Sequence, residues 1–292
     1  MDSEKNNRFS RLVSGTYSGV VAYAFFIIIA GLLYLSAVST SFVNMEERIF
    51  FLPDRALTKI LAFLLTVLVF MLANRLFTAN AFSRRLEEDE IFFKKVRRAV
   101  LVAVWLLLSG WAVCTQIYPR ADQELMFDVA RALGEKDFSA YSDVNYLYTF
   151  NHQIGLGMAM FLLNKVVGEY NFVAYHLILA ALVPLIYREL SIIGGYFGLK
   201  RNGQLAVIIL CILFAPLALY ASFIYGTIPG LLLALLAVRL ELKYFRDGTW
   251  RDALLSALSI ALSAMLKSNY LIFMVAMLIY AVVKLINGGK IK

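Results

Sequence analysis

One polar stretch, Tyr118 to Gln153, interrupts a chain otherwise made of apolar runs, and this alternation limits the folds open to it. Hydrophobic residues make up 61% and charged residues 16%, with a mean hydropathy of +0.73. A soluble domain carries about 25% charged residues. At about 20 residues per spanning helix, the pattern predicts an all-α, polytopic transmembrane bundle of roughly eight or nine hydrophobic segments. We expect one transmembrane domain over residues 1–292, multi-pass in a bacterial plasma membrane. The net charge of +8 is clustered beside the apolar runs. That is the positive-inside bias of a membrane protein, so the charge reports topology and contact with membrane lipids rather than nucleic acid. Cys114 and Cys211 lie in apolar runs without paired spacing, which indicates neither a disulfide framework nor a zinc site.

Lys5, Arg8 and Arg11 predict a cytoplasmic N-terminus, followed by a first span from Tyr17 to about Val43, too long for a signal peptide. A second span covers about Leu57 to Ala73. Residues 74–98 hold Arg75, Arg84, Arg85, Lys94, Lys95, Arg97 and Arg98, which mark a cytoplasmic basic loop; its acidic run Glu87 to Glu90 reads as a solvated, charge-paired linker. A third span, Val100 to Ile117, leads to the outer loop 118–153. Ile154 to Val167 is just long enough to cross and is read as a crossing, a tilted or re-entrant segment being the alternative. Phe172 to Tyr187 returns. Counting spans then places residues 188–204 outside, whereas Arg188, Lys200 and Arg201 argue for the cytoplasm. Pro216 splits the next run, compatible equally with a kinked span and with two half-helices that enter and leave on one side. Segments Gly230–Leu242, Ala253–Leu266 and Leu271–Ile286 complete the chain.

The first half of the outer loop has helical periodicity. At 100° per residue Asp122 shares a face with Leu125, Met126, Val129 and Leu133, opposite Glu124, Asp128, Arg131 and Glu135, where Asp128 and Arg131 can pair. A carboxylate on an apolar face is costly to bury unless it meets a cation, a metal or a substrate proton. The plainer reading is an acid at a helix N-terminus, favoured by the macrodipole. Tyr146, His152 and Gln153 stand before the next apolar run, and Lys267 and Asn269 stand between the last two; these polar groups can contact a sugar or a phosphate. The tyrosines can equally be interfacial belt residues, and Lys267 can snorkel. No nucleotide-binding, zinc-protease or serine-hydrolase motif occurs.

The order of a span, P-x-x-D at Pro119 to Asp122, an amphipathic helix, Y-L-x-x-x-N-H-Q-x-G from Tyr146 to Gly155 and then V-V-G resembles the GT-C class of integral-membrane glycosyltransferases, relatives of the protein O-mannosyltransferases and aminoarabinose transferases. The resemblance covers about Val100 to Asn171 and extends loosely to Tyr280. It implies a polyprenyl-phosphate-linked sugar donor and a catalytic acid at Asp122, acting as base or as ligand of a divalent metal. Gln123 stands where an adjacent second acid is common, which argues against a two-carboxylate metal site. Members of the class continue through further spans, so the chain corresponds to the N-terminal portion of such an enzyme or to a shortened relative.

The expected function is sugar transfer from a lipid-linked donor to a cell-envelope acceptor on the outer face. Asp122 is the catalytic residue, with Tyr146, His152, Gln153, Lys267 and Asn269 binding substrate. The alternative is a transporter or flippase of lipid-linked glycans with its site at His176 and the Pro216 break.

Overall fold

The computed structural model describes residues 13, 15–28, 30, 38–43, 49–53, 56–78, 81–139, 142 and 145–287. Lys5, Arg8 and Arg11, on which the N-terminal orientation rests, lie outside them. The chain forms two compact units, residues 1–84 with 282–289, and residues 85–281 with 290–292. In the first, the run expected to be one span is a helix α1 (Gly15–Ile28) and a strand β1 (Val38–Val43), which pairs antiparallel with β2 (Ile49–Pro53). Valine, threonine and phenylalanine in VSTSFV suit a pleated strand better than a helix continuation. Helix α2 (Ala56–Thr78) follows, and α3 (Ala81–Glu88) ends at the start of the second unit.

Residues 74–98 are therefore mostly helical, not a loop. The acidic run builds helix ends. Asp89 caps α4 (Glu90–Thr115) by accepting from the Phe92 N–H at 2.9 Å, a contact worth about 1 kcal/mol. Glu87 accepts from the Asn202 N–H at 2.9 Å and so holds the start of α9 (Arg201–Leu213). Glu90 pairs with Lys94 at 2.5 Å.

Helix α4 packs antiparallel on α8 (Phe172–Tyr196) and defines two ends of this unit. Its N-terminal end carries Lys94, Arg97 and Arg98; its C-terminal end carries Trp111. Helix α9 breaks at Phe214, because Pro216 has no N–H for the Ile212 carbonyl, and continues at 67° as α10 (Ala215–Leu219) and a 3₁₀ turn. Arg201 contacts Glu87 and Glu90, whereas Ser222 accepts from the Trp111 indole at 3.0 Å. Glu90 and Trp111 stand 21 positions apart on α4, about 30 Å. The broken element thus runs from one end to the other and does not turn back. Helix α11 (Thr227–Arg246) returns to the basic end, and α12 (Trp250–Leu266), opened by a Thr249–Asp252 capping box, leads back to α13 (Leu271–Ile286). By length and hydropathy three helices can cross a membrane, and a fourth if the bent pair is one span. Eight or nine is not reached among the described residues, where several apolar runs form helices that are too short or too charged: α7 (Ile154–Val167) has 14 residues, and α11 carries Arg239, Glu241 and Lys243.

Small residues let α11 and α12 approach. Ser263 donates to the Gly230 carbonyl at 2.6 Å and Ser256 to the Ala237 carbonyl at 2.8 Å, while Ala234 and Ala237 are fully buried. Helix α7, with 14 residues, is not among the helices long enough to cross. Tyr175, in the first turn of α8, donates to the Met160 carbonyl at 3.0 Å and to Asn164 at 2.8 Å, so α7 doubles back along the first half of α8. Residues 188–204 therefore share the end of Lys94, Arg97 and Arg98. This removes the conflict between their charge and the span count.

Candidate functional site

The site lies at the end opposite the basic cluster. The chain leaves α4 through Gln116 in the left-handed region and reaches Ala121 at φ 51, ψ −126, a strained conformation for a residue with a Cβ. Asp122 is the first residue of α5 (Asp122–Gly134), at the positive end of the helix dipole. Its side chain is exposed, not buried as the helical wheel implied. The packed face is rotated toward Met126, Phe127, Val129 and Ala130. Gly157 of α7 admits Val129 and Met126, and Phe127 stacks on Tyr170 at 5.5 Å. Asp128 and Arg131 pair at 3.5 Å, and the Tyr170 hydroxyl donates to Asp128.

Gln123 accepts from the Ile224 N–H at 2.8 Å and ties the start of α5 to the extended segment before α11. That segment presents Tyr225. Two glycines allow the convergence: a Cβ on Gly226 would stand 2.0 Å from the Leu266 carbonyl oxygen, and one on Gly155 would stand 2.1 Å from that of Met265. The starts of α7 and α11 can therefore lie directly against the last turn of α12, from which Lys267 projects.

Gln153, 4% exposed, donates to the Tyr225 hydroxyl. The Lys267 ammonium lies 4.3 Å from the Tyr225 ring centroid, a cation–π contact. Burial pushes the Lys267 pKa down, and nearby Asp122 partly offsets this. The Tyr146 hydroxyl is buried near Tyr225 and Asp122 and, among the described residues, has no hydrogen bond of good geometry; burial first, then both neighbours, push its pKa well up. Tyr225 is also raised, by burial and then by Asp122, with Tyr146 opposing. Asp122, Tyr146, Gln153, Tyr225 and Lys267 thus form one cluster, with two phenols kept protonated, one carboxylate and one ammonium.

His152 and Asn269 do not join it. Both are exposed, His152 edge-on to Phe150 at 6.1 Å. Each sits in a 3₁₀ turn, where neighbours point about 120° apart, so that Gln153 and Tyr270 turn inward and His152 and Asn269 turn out. Tyr225 carried no sequence signal beyond its place before a glycine at the end of a broken apolar run. Gln123, read as a missing acid, is a backbone clamp.

A divalent metal held by two carboxylates does not fit. The Gln123 amide oxygen is engaged, Glu124 lies on the other side of α5 beside Tyr118 and Phe127, and the Lys267 cation is near enough to Asp122 to act on it electrostatically. Among the described residues no three His, Cys, Asp or Glu side chains converge. No family model, curated protein or solved structure matches this chain.

Proposed function

We propose that the chain is a membrane glycosyltransferase that takes a sugar from a polyprenyl-phosphate carrier and transfers it to a hydroxyl of a cell-envelope acceptor. The observation that supports this reading is the convergence of Lys267 and Gln153 on Tyr225, with Asp122, 145 positions before Lys267 in sequence, near enough to act on Lys267 and on both tyrosines. Glycosyl transfer from a lipid phosphate needs a base for the attacking hydroxyl and a cation for the departing phosphate.

In this mechanism the Asp122 carboxylate takes the acceptor hydroxyl proton as that oxygen bonds to the anomeric carbon. The carbon–oxygen bond to the carrier phosphate breaks, and the phosphate leaves with the bonding electrons, its added charge offset by the Lys267 ammonium. Tyr146 and Tyr225 stay protonated and donate hydrogen bonds to the sugar or the phosphate. Gln153 fixes Tyr225. Transport at His176 and Pro216 has less support. His176 is 1% exposed and lies against the Ser222 backbone, and Pro216 bends an element that runs through from end to end.

Asp122→Asn, with membrane insertion verified, should lower transfer from a polyprenyl-phosphate-linked sugar by about 100- to 10,000-fold. Full activity would remove the mechanism.

A further inference from the structure

A groove of about 410 Å³ opens between α4 and α8 at the basic end, away from the Asp122 cluster. Its mouth is formed by Lys94, Arg97, Arg98 and Arg188, and its body by apolar side chains that include Leu101, Trp105, Pro184 and Leu185. Both walls belong to helices long and apolar enough to cross a membrane. From Arg98 to Trp105 the groove runs about 10 Å along α4, from charge into the hydrocarbon-facing zone.

The charges at the mouth are not balanced. Glu90 faces both Lys94 and Arg201, and Glu189 faces both Arg188 and Arg239. Arg97 and Arg98 have no carboxylate within 4 Å among the described residues; Arg97 lies 5.1 Å from the Phe93 ring centroid. A second, more polar cavity of about 360 Å³ adjoins, sharing Lys94 and Arg97 and adding Arg201 and Arg246. Unpaired guanidiniums above an apolar slot match one ligand chemistry, a phosphate-ester headgroup carrying acyl chains.

We propose that this groove binds an anionic phospholipid, with its phosphate on Arg97 and Arg98 and an acyl chain against Trp105 and Leu185. The site is independent of the chemistry at the other end. Bound lipid offsets the charge of Arg97 and Arg98, which Arg188 adjoins, and covers the apolar wall at once, so it holds α4 against α8.

The three tryptophans make the test direct, because only Trp105 lies in the groove. The full chain carrying Trp111→Phe and Trp250→Phe is reconstituted in phosphatidylcholine vesicles, and Trp105 quenching is titrated with acyl-brominated phosphatidylglycerol or, at equal mole fraction, acyl-brominated phosphatidylcholine. The anionic lipid should quench in excess of the zwitterionic one. R97Q/R98Q should weaken this preference roughly 30-fold, at about fivefold per cation lost, and R97K/R98K should keep it. Equal quenching by the two lipids overturns the proposal and needs no variant to be read. Displacement of the excess by inorganic phosphate at constant ionic strength also overturns it, in favour of a free-anion site.

Discussion

The two ends of the α4–α8 pair are both polar, yet they are built differently. At the basic end the charges come from runs that are clusters in the sequence itself, Lys94 to Arg98, Arg188 to Lys200 to Arg201, and Lys243 to Arg246. They are partly exposed and only partly paired. At the other end five polar side chains arrive from five separate segments, and their contacts depend on backbones that approach closely enough to exclude a methyl group. A surface organised by charge tolerates displacement of its members. A site organised by backbone contact does not.

Four substitutions would break or sharpen that contrast. The largest effect on stability should come from Glu189→Ala, since Glu189 is 3% exposed and holds both Arg188 and Arg239; leaving these cations unpaired should cost about 3–5 kcal/mol in chemical denaturation. Gly226→Ala places a methyl against the Leu266 carbonyl and should cost about 1–3 kcal/mol while lowering activity disproportionately, because Tyr225 moves away from Lys267; unchanged kinetics would show that the close approach does not set the site. The third effect is on pH dependence. The folded-state pKa of Lys267 is depressed, so its charged form is penalised by folding, and stability rises as pH climbs from that lowered pKa toward the ordinary lysine value. Activity should fall over the same window as the ammonium is lost, and Lys267→Arg should move this alkaline limb to higher pH because a guanidinium does not titrate there. The smallest change is expected for Glu90→Gln: its pair with Lys94 is more than half exposed on both sides, and thermal unfolding should register less than about 1 kcal/mol.

Much of the basic end was legible in the sequence. Local charge runs beside apolar runs are a one-dimensional signal, and the structure keeps Lys94, Arg188 and Arg201 together at one end. The Asp128–Arg131 pair and the helical loop segment were also legible, since i, i+3 contacts follow from helix geometry alone. The exposure of Asp122 is not legible in the sequence. A helical wheel fixes relative angles, not which angle faces the neighbour, and α7 with Gly157 selected a face centred on Met126 and Val129. His152 and Asn269 were grouped with inward-facing neighbours because adjacency in sequence says nothing of the 120° step of a 3₁₀ turn.

Composition and periodicity by themselves determined that this is a helical membrane protein with a helix-bearing polar segment and one heavily basic end, because hydrophobic burial and charge solvation act residue by residue. Tertiary structure alone decided that α7 doubles back, that α9 and α10 form one broken passage, and that Tyr225 and Lys267 meet Asp122. Those outcomes turn on contacts between backbones at least 40 positions apart, such as Gly226 on Leu266 and Gly155 on Met265, where the decisive quantity is a distance that no local pattern encodes.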